Sequence, residues 1–139
     1  MNEIDTDYLI VGAGALGLSF ADSLLEYSDG HITFVDQHPK PGGHWNVAYP
    51  FVTLHQPSAT YGLNSMDFGD DLIDTAGPNE GFYKLATGTQ VLGYFERAMQ
   101  ERFIPSGRVS YYPMSKYQEG ANGEHSFISS ISGKEMRVN

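Results

Sequence analysis

Six residues, Gly12-Ala13-Gly14-Ala15-Leu16-Gly17, constrain this chain more than any others. They follow Tyr8-Leu9-Ile10-Val11, a continuous apolar run that predicts a strand buried on both faces of a parallel sheet. They open the stretch from Ala15 to Tyr27, where Leu16, Phe20, Leu24 and Tyr27 recur at spacings of three and four and predict a helix of about three turns. Ser28-Asp29-Gly30 supplies the stop, with glycine placed for a left-handed cap. Ile32-Thr33-Phe34-Val35 then predicts a second buried strand, ending at Asp36. The unit from Tyr8 to Asp36 is a βαβ of about 30 residues.

In that context the glycines match G-x-G-x-x-G, and each has a physical reason. The first permits a tight turn, the second lets backbone approach a pyrophosphate, and the third allows close packing of helix on strand. Gly12, Gly14 and Gly17, with the backbone of Ala15 and Leu16, are the candidate pyrophosphate contacts, because a helix N-terminus presents unpaired N–H groups to an anion. Asp36, about 20 residues on, is the candidate for the adenosine ribose hydroxyls, with Gln37 beside it. A 2′-phosphate would be repelled by that carboxylate, and Gln37-His38-Pro39 bring no cation before Lys40, so NADP is disfavoured at this site. NAD and FAD share the adenosine diphosphate half that the fingerprint recognises, and the motif does not separate them.

Residues 37–86 show no sustained period, yet carry Trp45, Tyr49, Phe51, Tyr61, Phe68, Phe82 and Tyr83, an aromatic content that predicts an ordered, packed segment. Thr87 and Gln90 have the spacing of a capping box. The helix it starts has Val91, Leu92, Phe95, Met99 and Phe103 on one face, which is assigned to the core, and ends at Pro105 and Gly107. Val109 to Tyr112 predicts a third parallel strand. Met114 to Glu119, Ser126 to Ile131 and Glu135 to Val138, separated by Asn122-Gly123 and Ser132-Gly133, predict a three-stranded antiparallel meander. The expected fold class is α/β: a Rossmann-like FAD/NAD(P)-binding domain with parallel sheet order 3-2-1 and a C-terminal β-meander, incomplete as a sheet.

Composition narrows the chemistry. With no cysteine there is no dithiol and no thiolate metal site, so redox work falls to a bound cofactor. A net charge of -9 argues against nucleic acid. No apolar run approaches the roughly 20 residues of a membrane span, and the acidic start Met-Asn-Glu-Ile-Asp is unlike a signal peptide, so the expected address is cytoplasmic. The five histidines lie on separate segments without helical i,i+4 pairing, and no metal site is expected; His31 reads as a surface residue. Asp67, Asp70, Asp71 and Asp74 lack an EF-hand pattern and read as a solvated turn. Ser58 has no nucleophile elbow around it.

Gly42-Gly43-His44-Trp45, followed by Ala48-Tyr49-Pro50, resembles the N-terminal FAD-binding region of flavin-dependent oxidoreductases, in particular the flavin-containing and Baeyer-Villiger monooxygenases. The stretch YPFVTLHQPSATYG is similar to a further group of FAD-dependent oxidoreductases, and the likeness covers nearly the whole chain. The resemblance implies that Gly43, His44 and Trp45 run along the pyrophosphate and flavin, that the residues after Tyr49-Pro50 approach the ring, and that His55 is placed to hydrogen-bond it. It implies FAD as cofactor, NADPH or NADH as hydride donor in a full-length parent, and a small-molecule substrate. Two departures stand out. Asp36 replaces the usual Glu, and His55-Gln56 replaces a flavin-side Asp, which counts against Baeyer-Villiger chemistry in particular. The second nucleotide-binding domain of that family is absent from residues 1–139, which reads as a single truncated domain, inactive when isolated and with an open sheet edge for self-association. A non-catalytic dinucleotide-binding fragment and the NAD-binding domain of a dehydrogenase remain as alternatives, and no catalytic residue is assigned.

Overall fold

The structure is a computed structural model that describes residues 2–139. In chain order its strands and helices are β1 (Asn2–Ile4), β2 (Tyr8–Val11), α1 (Ala15–Tyr27), β3 (Ile32–Val35), β4 (Gly62–Leu63), β5 (Met66–Asp67), α2 (Gly88–Ala98), β6 (Val109–Tyr112), β7 (Ser115–Glu119), β8 (His125–Ser129) and β9 (Glu135–Val138). A parallel sheet runs β2-β3-β6, the expected order 3-2-1. Its strands alternate their side chains between two cores. Ile10, Ile32, Phe34 and Val109 face α1 and α2, while Leu9, Val35 and Tyr112 face the meander, where Phe127 and Val138 are buried. The result is three layers, with the parallel sheet in the middle.

The meander has one strand more than expected. β1 pairs in parallel with β9, giving a four-stranded sheet in the order β1-β9-β8-β7. Three residues joined to a partner more than 130 positions away leave no local period to detect. The turns at Gly123 and Gly133 fall where expected, both with positive φ, and β8 ends two residues short of Ile131.

Helix α1 has the expected bounds, but of the expected stripe only Leu24 packs on the core. Leu16 is 88% exposed, Phe20 52% and Tyr27 87%, whereas Leu18 and Ala21 are fully buried and Asp22 nearly so. The buried side is the one carrying Gly17, whose bare Cα lets the helix sit on β2; a Cβ there would lie 2.3 Å from the Gly12 carbonyl oxygen. The cap differs in kind. Gly30 is not left-handed; Ser28 is extended and donates to Leu24 O through its N–H at 3.0 Å and its hydroxyl at 2.8 Å, and Arg108 adds a cap from a distance, its guanidinium donating to Leu24, Leu25, Ser28 and Gly30. Gly30 is needed because a Cβ would meet the Tyr8 ring at 2.7 Å.

Thr87 and Gln90 form the capping box of α2. Val91, Phe95, Met99 and Phe103 are buried as expected, the last two on a π-helical turn that continues α2. Of the aromatics in residues 37–86, Trp45, Tyr61 and Phe68 pack against the core at this helix, whereas Tyr49, Phe51, Phe82 and Tyr83 are exposed, contrary to the packed segment expected. Tyr94 Oη accepts from Leu63 N–H at 2.7 Å and donates to the Met66 carbonyl, pinning the β4-β5 hairpin. Asp22 is the second anchor. Its carboxylate accepts from Arg102 Nε at 2.6 Å, from Ser65 N–H at 3.2 Å and from the Ser65 hydroxyl. Among the described residues no helix is long and apolar enough to cross a membrane.

Candidate functional site

The site begins at the C-terminal ends of β2 and β3, where a parallel sheet leaves a crevice. Gly12 adopts φ +105° and its N–H donates to Val35 O at 2.8 Å. Gly14, the N-cap of α1, brings no capping side chain, and the first intrahelical bond is Leu18 N–H to Gly14 O at 2.9 Å. The amides of residues 15–17 are therefore left for a ligand. Gly42 and Gly43, both at positive φ, lie against this loop. Gly42 N–H donates to Ala13 O at 2.8 Å, and a Cβ on Gly43 would come within 3.1 Å of Gly14 Cα. A side chain at either position would press these two backbones apart by a few tenths of an ångström, and at Gly43 the positive φ disfavours one in addition.

A groove of about 670 Å³ runs between them, and it collects Gly12, Gly14, Ala15, Leu16, Gly17, Asp36, Gln37, Gly43 and His44. Trp45 and His55 lie outside it. They line an adjoining hollow of about 440 Å³ with Tyr49, Val52 and Leu54, and His44 belongs to both cavities. His44 stacks on Trp45 with ring centroids 5.3 Å apart, and Trp45 Nε1–H donates to Tyr61 Oη at 3.3 Å. Burial raises the Tyr61 phenol pKa, partly offset by the Trp45 bond.

Asp36 is buried at the groove floor. Its Oδ2 accepts from Ala13 N–H at 2.5 Å, and Oδ1 accepts from His38 N–H at 2.6 Å with His38 Nδ1 at 3.0 Å. A carboxylate only accepts, so Nδ1 carries the proton. The carboxylate thus holds the glycine loop as well as facing the groove. His38, and Ser115, Lys116 and Tyr117 of β7, are groove residues that sequence reasoning missed. They arrive because Ser115 N–H donates to Asp36 O and Met114 N–H to His38 O, laying β7 across the end of β3. Lys116 supplies the cation that residues 37–39 lack. His31 is half-buried rather than superficial and meets the Ser110 hydroxyl at 3.0 Å. Tyr111, nearby on β6, has a buried hydroxyl without a hydrogen-bond partner; burial first, then the negative charges of Asp36 and Glu96, push its phenol well above the ordinary range. Among the described residues no three His, Cys, Asp or Glu side chains converge.

With this geometry in view, the known proteins divide by what they share. A family model for an NAD(P)-binding Rossmann-like domain matches residues 10–69. The chain superposes on part of a flavin-containing monooxygenase from Stenotrophomonas maltophilia, with a TM-score of 0.66 and 18% identity, covering 99% of this chain and 37% of that one. The fold shared here is the Rossmann-like one that the family model describes. A cyclohexanone monooxygenase variant from Rhodococcus sp. Phi1, solved with NADP+, superposes with a TM-score of 0.60 and 18% identity over 96% of this chain and 25% of that one. A bacillithiol disulfide reductase from Staphylococcus aureus gives a TM-score of 0.65 and 12% identity over 99% and 36%. At these identities the likeness is one of fold. In sequence, uncharacterized proteins of Mycobacterium tuberculosis (strain H37Rv) and Mycobacterium bovis are each 48% identical over 114 residues, 82% of this chain. The chain spans about a fifth, 21%, of the length of these relatives.

Proposed function

We propose that this chain is the FAD-binding part of a flavin-dependent oxidoreductase of monooxygenase type, whose full-length form takes hydride from NADPH or NADH. The observation that carries the reading is the pairing of two glycine segments: Gly14 against Gly43 leaves a backbone-walled channel beside the open N-terminus of α1. The channel leads past His44 into the hollow at Trp45 and His55. That division suits a dinucleotide with a large flat ring at one end, adenosine diphosphate in the groove and isoalloxazine against Trp45. FAD, when bound, accepts a hydride and passes electrons to oxygen or another acceptor. The chain's own residues bind and orient it. Amides 15–17 meet the pyrophosphate, the Asp36–His38 pair meets the adenosine ribose, and the His44–Trp45 stack walls the ring side.

In this reading residues 1–139 form one nucleotide-binding unit. A second nucleotide site and the substrate site belong to polypeptide beyond it, in keeping with the 21% coverage of the relatives. The test is absorbance of the purified chain after incubation with FAD and removal of free cofactor by gel filtration. Retained flavin bands, lost in Gly14→Val and reduced in Asp36→Ala, support the reading. A colourless protein that instead retains NAD would overturn it in favour of a dehydrogenase-type domain.

A further inference from the structure

A second cavity, of about 380 Å³, lies on the side of α2 turned away from the glycine loops. On the loop side, Leu92 packs at Gly42 and Glu96 pairs with Lys40 at 3.4 Å. The cavity is bordered instead by Gln90, Gly93 and Arg97, one stripe of the same helix, with Ser58, Gly69 and Lys84 opposite. We propose that it is an oxyanion-binding site, for a carboxylate or phosphate group of a small ligand, distinct from the dinucleotide groove.

Its wall combines the apolar Phe68, Leu85 and Ala86 with several unspent donors. Ser58 is 6% exposed and its N–H is spent on Lys84 O at 3.0 Å, but among the described residues its hydroxyl has no partner. Gly69 makes room for that hydroxyl, since a Cβ there would lie 2.3 Å from Ser58 Oγ. Gln90 Oε1 accepts from Thr87 N–H at 2.9 Å, which fixes the amide and leaves Nε2 free to donate. Lys84 has no acidic partner among the described residues. Arg97 meets only Glu101, at 3.4 Å on an exposed face, so its fork is not saturated. The single acid in the lining, Asp70, is exposed and already accepts from Leu72 N–H at 3.2 Å. In a chain with 17 acidic and 8 basic residues, two cations lining the same hollow as the unpaired hydroxyl of Ser58 are a specific arrangement.

Gly93 supplies an independent observation. It sits in the interior of α2, where glycine weakens a helix, yet its φ is ordinary and a Cβ would meet nothing within 4 Å. Neither strain nor packing explains it. An unobstructed wall for a ligand between Gln90 and Arg97 does.

The probes are inorganic phosphate and acetate, titrated into the isotope-labelled chain and followed by amide chemical shifts. Saturable shifts confined to Ser58, Gly69, Lys84, Gln90 and Arg97 are expected, and the tighter probe identifies the anion class. Lys84→Ala should weaken binding on the order of ten-fold, and Lys134→Ala should not. Gly93→Leu favours the helix while filling the cavity, so it should abolish binding and leave the far-ultraviolet spectrum intact. Shifts spread evenly over the surface cations, no saturable shifts with either probe, or unaltered binding in a folded Gly93→Leu variant would overturn the proposal.

Discussion

Replacing Gly17 by alanine sets two effects of known sign against each other. Alanine in a helix is favoured over glycine by about 1 kcal/mol. At Gly17, however, the added methyl would lie 2.3 Å from Gly12 O and 3.1 Å from Ile10 Cγ2, so α1 must lift from β2 by roughly an ångström, and overpacking of that kind costs about 1–3 kcal/mol. The net loss of stability is therefore small, about 0–2 kcal/mol, and urea unfolding should show it as a lower midpoint with an unchanged slope. Binding should suffer more. Lifting α1 displaces the amides of residues 15–17 from Gly43, and a hydrogen bond to a charged group contributes about 1.5–3 kcal/mol, so loss of one weakens FAD about 10- to 100-fold. Flavin fluorescence quenching measures this directly. Gly93→Ala is the control, since its methyl meets no protein atom within 4 Å and should stabilise α2 by about 1 kcal/mol with FAD affinity unchanged. A Gly17→Ala chain that is as stable as Gly93→Ala and binds FAD like the parent would refute the close-packing argument.

Four further outcomes are expected. Asp22→Ala removes the anion from Arg102 and both acceptors from Ser65; because the Arg102 side chain keeps 30% exposure, the loss should fall at the lower end of the buried-pair range, about 3 kcal/mol by urea unfolding. Arg108→Ala removes the guanidinium donor from the carbonyls of Leu25, Ser28 and Gly30 and leaves Leu24 O to Ser28 alone, and hydrogen exchange should accelerate in the last turn of α1 while α2 stays protected. Leu18→Ala should cost about 2–5 kcal/mol, but Leu16→Ser less than about 0.5 kcal/mol, and the reverse order would restore the face that the sequence period points to. The Tyr61, Tyr94 and Tyr111 phenols are all raised above the ordinary value of 10.0, chiefly by burial. A raised acid keeps its proton in the folded state, so the stability it contributes is intact below that value and declines as pH rises past it. Alkaline unfolding with a delayed rise in tyrosinate absorbance checks the sign.

What was legible in the sequence follows from what is local. The βαβ unit, the capping box at Thr87 and the turns at Gly123 and Gly133 are written in adjacent residues, and the structure places them as expected. The face of α1 was not legible, because spacing reports that a helix has an apolar stripe and not which stripe meets the sheet. That choice belongs to Gly17, through its contact with Gly12. The helix stops at Ser28 as the local signal predicts, through its own N–H and hydroxyl on Leu24 O, but the left-handed glycine cap expected at Gly30 is replaced by Arg108, about 80 positions later, which no nearby window reveals. Of the groove, the glycines, Asp36 and the Gly42-Gly43 pair were visible as motifs. His38 was overlooked beside Asp36, although an Asp-x-His spacing lets a histidine ring turn back on the carboxylate. Lys116 could not be found without knowing that β7 crosses the end of β3.

The pairing of β1 with β9 also has a bearing on synthesis. Synthesis delivers Asn2 to Ile4 more than 130 residues before their partners Met136 to Val138. At about 5–20 residues per second that interval is on the order of ten seconds, far longer than the microseconds in which a hairpin such as β7-β8 closes. β1 therefore waits longer for its partner than β7 or β8 does, and during that interval the nascent chain carries an unpaired strand that a chaperone can hold.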